Sequence, residues 1–316
     1  MPNIPSLDLS NFLSNNDTLK KDFVKRIGKA YQEIGFIALK GHFLTKDNID
    51  NLYLQIKKFF DLTQETKDKY EFDGYKGQRG YTSFGKEHAK GKKEGDLKEF
   101  WHFGQFLDNQ NKNYSYPDNI IVDELPEFNK AGKETFKALE KTAVYVLRAI
   151  SIFLDLEEDH FDKFVINGNS ILRPIHYPPI NKEPKKAVRA AAHGDINLIT
   201  LLMGAHGKGL QVKNNKGEWI DAIAADDEIV INVGDMLSRY TNNKLKSTIH
   251  RVINPPRELW GKSRYSIPFF LHPIGSMKLN VLENCIDESN PKKFDDITAH
   301  DFLINRLIDI GVMKKE

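Results

Sequence analysis

From about residue 170 onward the chain is a succession of short apolar, β-branched runs with no helical pattern between them. They cover 171–177, 196–203, 210–212, 219–223, 229–233, 248–252 and 265–271, and turn residues separate them. Successive strands without crossover helices pair antiparallel, and short strands in that number bury their edges by closing into a barrel or stacking as a sandwich. An antiparallel sandwich or barrel, jelly rolls included, is therefore expected for the second half.

The first half has a different period. Leu19, Phe23, Ile27, Tyr31 and Ile34 recur at helical spacing behind the cap candidates Asp17 and Thr18, and Gly35 closes the run. A short strand over 36–39 follows. Next comes a helix capped near Thr45 or Asp47, with Ile49, Leu52, Ile56, Phe59 and Phe60 on one face. A third helix is expected from about 130 to 154, and a last one over 298–311, capped by Thr298 and ended by Gly311. These stripes read as scaffold. Gly74, Gly77, Gly80, Gly85, Gly91 and Gly95 punctuate a lysine-rich stretch with neither period, either a lid over a pocket or a plain mobile loop.

Bulk properties exclude several classes. The 46 basic and 44 acidic residues leave a net charge of +2, so no global field favours nucleic acid or an anionic membrane. The single cysteine, Cys285, rules out an intrachain disulfide and fits a reducing, cytoplasmic setting. There is no signal-peptide pattern and no membrane-length apolar run, and no protein partner is implied.

Most of the ten histidines need no special explanation, but His193 and His250 stand out. His193-Gly194-Asp195 leads into the strand INLITLL, and in extended chain residues i and i+2 project to the same side. Gly194 keeps the intervening position free of bulk. His250 lies in another predicted strand, which a folded sheet can bring alongside. Two imidazoles and one carboxylate make the facial triad of non-haem Fe(II) oxygenases, which leaves half the coordination sphere for a bidentate cosubstrate and O2. Arg264 and Ser266 form a second i, i+2 pair, a guanidinium fork beside a hydroxyl, suited to a carboxylate.

With those residues in place, the chain resembles the isopenicillin N synthase-like family of 2-oxoglutarate/Fe(II)-dependent oxygenases. The matching segments are IPSLDLS, EIGFIALKGH, DLKEF, LRPIHYPP, HGDINLITLL, GLQV with GEW, VINVGDML, TNNKLKSTIHRV and RYSIPFF, in the family's order over nearly the whole chain. The resemblance implies an α+β chain: a double-stranded β-helix (jelly roll) core over 165–275, a helical N-terminal region over 1–120, a linking helix at 130–154 and a C-terminal helix at 298–311. It implies His193, Asp195 and His250 as iron ligands, and Arg264, Ser266 and Tyr177 as contacts to 2-oxoglutarate. Trp101 and His102, next to DLKEF, become candidates for the substrate pocket. The implied activity is oxidation of a small-molecule substrate with O2, giving succinate and CO2, with ascorbate a candidate reductant.

Two departures stand out: Ile175 replaces an asparagine common in the family, and the segment between His250 and Arg264, with Pro255, Pro256 and Trp260, is longer than in many members. Other residues have plainer readings. His176 is expected to be packed rather than a ligand, 232–235 a turn in which Gly234 supplies unusual backbone angles, and Arg251 a structural ion-pair partner. A 2-oxoglutarate-independent oxidase of the same family and a non-catalytic jelly-roll binding module remain open at this point.

Overall fold

Short polar caps start the N-terminal elements. The computed structural model describes residues 4–72, 78–86, 97–107, 116–180, 188–204 and 209–309. Strand β1 (Ser6–Asp8) ends where Asp8 accepts the Ser10 amide at 3.0 Å and opens helix α1 (Leu9–Leu13). Helix α2 (Asp17–Glu33) is capped by Asn16, not by Asp17 or Thr18, through the Thr18 and Leu19 amides. Phe23, Ile27 and Tyr31 are buried on it, whereas Leu19 stays exposed. After β2 (Phe36–Lys40), Thr45 and Asn48 close a capping box on α3 (Lys46–Phe60), and α4 (Gln64–Asp68) follows.

Two strands were not legible in the sequence. β3 (Gly80–Thr82) and β4 (Glu99–Gly104) pair antiparallel, and β4 is buried on both faces, so it shows no alternation of polar and apolar residues. Part of the glycine-rich 74–95 stretch is thus strand rather than loop. Most of the rest of it, and with it the lid reading, lies outside the described residues.

The long helix α5 (Pro126–Phe153) starts with proline in its first turn, and α6 (Asp162–Val165) follows. The expected strand 171–177 is two, β5 (Ile171–Leu172) and β6 (Ile175–Tyr177), broken at Pro174, which has no amide for a ladder. Then come β7 (Ala190–His193), β8 (Ile199–Met203), β9 (Leu210–Lys213), β10 (Trp219–Asp221) and β11 (Ile229–Val233). Helix α7 (Asp235–Tyr240), β12 (His250–Val252), β13 (Arg264–Leu271) and α8 (Ala299–Asp309) complete the chain. Thr298 caps α8 by accepting the Asp301 amide at 3.1 Å; Ile310 and Gly311 lie outside the described residues. No helix among the described residues is long and apolar enough to cross a membrane.

The strands form two sheets, one ordered β1-β2-β11-β8-β13-β5-β4-β3 with β6 joining β13 and β4, the other β10-β9-β12-β7. Phe36, Ala38 and Val230 of the larger pack on Leu210 and Val212 of the smaller, making the jelly roll. The larger sheet's other face, with Ile37, Leu39, Leu201, Ile267 and Phe269, joins α2, α3 and α5 in the main core. Strands from 1–120 are therefore built into the same sheet as those from 165–275. Along β13 the alternation is decisive: Ile267 and Phe269 face the helices, and Arg264, Ser266 and Phe270 face the barrel interior.

Candidate metal and cosubstrate site

Register brings the two histidines together. His250 of β12 pairs directly with His193 of β7, and opposed residues of an antiparallel pair project to one face. Their ring centroids lie 4.4 Å apart. Asp195 sits in the bend leading into β8, its carbonyl accepting the Asp235 amide at 2.7 Å. One donor atom from each of the three residues lies within 4.8 Å of the others. Asp195 Oδ1 stands 3.7 Å from His193 Nε2 and 3.8 Å from His250 Nε2. Those separations are too long for hydrogen bonds, so the lone pairs are directed at a shared point rather than at each other.

Neighbouring groups decide which atoms are offered. Each imidazole puts Nδ1 against the carbonyl two residues earlier, His193 on Ala191 at 2.7 Å and His250 on Thr248 at 3.2 Å. A carbonyl can only accept, so Nδ1 carries the proton and Nε2 keeps its lone pair. Asp195 Oδ2 accepts from Thr200 Oγ1 at 2.7 Å and Asn232 Nδ2 at 2.8 Å, which leaves Oδ1 free. Burial pushes the Asp195 carboxyl up, but His250, His193 and these two donors together hold it below its ordinary value. Burial lowers His250, favouring the neutral imidazole that a metal requires.

The donor set fits iron. Two nitrogens, one carboxylate oxygen and no thiolate suit Fe(II) in an open facial arrangement. The cluster is also open on one side: the His193 side chain is 47% exposed, against 6% for Asp195 and 10% for His250.

Thr200 and Asn232 were missed in the sequence, where 232–235 reads as a turn. Asn232 instead lies inside β11 and Asp235 opens α7. Gly234 is extended, with φ −99°, and its need is steric: a Cβ there would lie 2.1 Å from the Asn197 carbonyl. The available signal was an asparagine embedded in an apolar strand, since a buried amide must find a partner.

Arg264 opens β13 opposite Tyr177 of β6, and Ser266 lies opposite Ile175. All four side chains therefore line one stretch of the interior. Gly209 lets the chain pass close by: a Cβ there would come within 2.9 Å of Arg264 Nη1, and its φ of +134° suits glycine alone. Ile175 packs with Phe100 and Tyr177, an apolar floor where an amide was expected from the family pattern.

The two substrate-pocket candidates separate. His102 faces the interior with Phe100, hydrogen-bonded through Nε2 to Arg173, whose guanidinium lies 4.5 Å from the Phe100 ring and 5.3 Å from Phe270. Trp101 does not line the pocket. Strand alternation turns it toward the helices, where it is wholly buried on Phe59 at 4.9 Å and Phe128 at 5.3 Å. His176 uses both ring nitrogens, on Glu99 at 2.7 Å and Ser263 at 3.0 Å, and is no ligand. Among the described residues Arg251 has no ion-pair partner: it donates to Gln211 at 2.8 and 3.0 Å and lies 4.1 Å from the Trp219 ring centroid.

Known proteins agree with this geometry. A model of the N-terminal region of non-haem dioxygenases, described from morphine synthesis, matches residues 4–124, and the 2OG-Fe(II) oxygenase superfamily model matches 168–273. A 2OG-Fe(II) oxygenase family protein from Caulobacter crescentus is 41% identical, with a TM-score of 0.88 over 97% of this chain and 99% of that one. The chain belongs to the 2-oxoglutarate/Fe(II)-dependent oxygenases. A Neurospora crassa enzyme solved with alpha-ketoglutarate and thymine is 31% identical, with a TM-score of 0.83 over 96% of each chain. The 2-oxoglutarate-Fe(II) type oxidoreductase ppzC of Metarhizium rileyi is 30% identical, over 96% of this chain and 86% of its own. As an oxygenase of this family the protein depends on Fe(II) and 2-oxoglutarate.

Proposed function

We propose that the oxygenase hydroxylates a C–H bond of a small molecule, with iron on His193, Asp195 and His250 and 2-oxoglutarate on Arg264, Ser266 and Tyr177. Substrate R–H, O2 and 2-oxoglutarate give R–OH, succinate and CO2. One observation carries this reading: three donor atoms within 4.8 Å of one another, with the His193 side open. Iron bound there supplies the oxidising chemistry.

The chain's own groups do the positioning. Thr200 and Asn232 keep Asp195 Oδ2 engaged, so that a single oxygen is offered inward. Arg264, with its fork of donors, fits the carboxylate of 2-oxoglutarate that lies away from the metal. Phe100, Phe270 and the His102–Arg173 pair form an inner wall that combines ring faces with hydrogen-bond donors. Such a wall suits a small ring bearing acceptor groups, a character shared by the thymine bound to the Neurospora enzyme. A cytoplasmic setting belongs to the same reading, supported by the lone, buried Cys285 thiol.

The test is direct. Fe(II), 2-oxoglutarate and O2 with a panel of small ring compounds should yield succinate together with a product 16 Da heavier, by the mass of one oxygen atom (about 16 Da, from the balanced equation). Without oxygen, Fe(II) and 2-oxoglutarate should give a weak visible band in the wild type and none in His193→Ala. Absence of both signals in the wild type would remove the proposal.

A further inference from the structure

Among the described residues, Arg189 is a buried cation without an acid. It is 4% exposed, and its Nε has no hydrogen-bond partner. No carboxylate among the described residues pairs with it. Its place in the fold is informative: it immediately precedes β7, the strand that carries His193. Its guanidinium lies 5.4 Å from the Tyr177 ring centroid, and Tyr177 is the register partner of Arg264. Arg189 and Arg264 are close enough to repel each other: burial first, then Arg264, pushes Arg189 down to about 10.

Two neighbouring guanidiniums in a poorly solvated site are unfavourable unless an anion joins them. A carboxylate has two oxygens with about four lone-pair sites, enough for both forks and a hydroxyl. The ring of Tyr177 and the hydroxyl of Ser266 border the same stretch of interior.

We propose that Arg189 is a second binding residue for 2-oxoglutarate, which with Arg264 and Ser266 grips the carboxylate remote from the metal and selects five-carbon 2-oxo diacids. The inference rests on the assignment of Arg264 and Ser266 to the cosubstrate. It predicts that Arg189 reads the second carboxylate and is indifferent to the 2-oxo acid head.

Anaerobic titration of the Fe(II)-loaded protein with 2-oxoglutarate and with 2-oxobutyrate, followed by the visible band, separates the two ends of the ligand. Arg189→Met should weaken 2-oxoglutarate by about 10- to 100-fold, the scale of a lost charge-assisted contact. Affinity for 2-oxobutyrate, which has no second carboxylate, should change by less than about threefold, because it never used that contact. Arg189→Lys should fall between wild type and Arg189→Met, and it reads the same ratio if the methionine variant does not fold. An unchanged ratio overturns the proposal, as does equal weakening of both acids, which would make Arg189 only packing for Tyr177. Arg264→Met run in parallel tests the underlying assignment. If that variant keeps the wild-type ratio, the cosubstrate reading fails, independently of what Arg189 does.

Discussion

Two polar clusters in this protein each set a carboxylate among imidazole and hydroxyl groups, and they behave oppositely. Around Glu99 every acceptor is used: Oε2 takes Lys67 Nζ at 2.8 Å and the Tyr81 hydroxyl, and Oε1 takes His176 Nδ1 at 2.7 Å. His176 then spends its other nitrogen on Ser263 at 3.0 Å. Around Asp195 the outer atoms are tied down in the same way, yet Oδ1 stands 3.7 and 3.8 Å from the two Nε2 atoms without bonding to either. One cluster closes on itself and joins β4 and α4 to the barrel. The other leaves its inner atoms unbonded, as the proposed iron site requires. Carboxylate and imidazole composition alone does not tell them apart; the direction of the unused lone pairs does.

The sharpest way to break this contrast is to remove one member of each cluster. His193→Ala should cost more than about 100-fold in succinate formation, above the range for indirect partners of a metal. Its melting temperature without metal should stay near that of wild type, since His193 is half exposed and bonded only to its own strand. Glu99→Ala should do the reverse. Lys67 and Glu99 are 7% and 6% exposed, so the change strands a buried ammonium and should destabilise the fold by about 3–5 kcal/mol. If Glu99→Ala melts like wild type, or His193→Ala unfolds, the two clusters do not divide stability and metal binding between them.

A smaller effect sharpens the same point from within the metal cluster. Asn232→Ala removes one of the two donors on Asp195 Oδ2 and frees the carboxylate to turn. Iron affinity should drop by about 10- to 100-fold, read by metal titration, with the secondary structure intact. An unchanged affinity would show that Thr200 alone orients the ligand.

The two clusters also differ in how far the sequence discloses them. The proposed ligand pair His193 and Asp195 is local, two residues apart at a strand end, and His250 falls in a strand of its own. Arg264 and Ser266 obey the same period of two. Glu99, Lys67, Tyr81 and His176 come from four elements whose meeting depends on β4 pairing with β3 and β6, and β4 hides because both its faces are covered. Trp101 was misplaced for the same reason: without the strand its direction is undefined, and with it the residue faces away from His102. Pro174 marked the break between β5 and β6 but was outweighed by the apolar run around it.

The smallest expected effect lies in the acid limb of stability. Burial pushes the Glu99 carboxyl up, yet His176, Lys67 and Tyr81 together hold it below its ordinary value of 4.5. A carboxyl with a depressed value in the folded state binds its proton more readily when unfolded. Its stabilisation is therefore present above pH 4.5 and is lost as pH falls from there through the lower folded value. Glu99→Gln has no such proton to take up. At neutral pH it should be less stable than wild type, because Lys67 then faces an amide instead of a carboxylate. Below pH 4.5 the gap should narrow as the wild type alone loses this contribution. Denaturant unfolding across that range measures the gap, and parallel curves would mean that the carboxylate of the closed cluster contributes no more than a neutral group of the same shape.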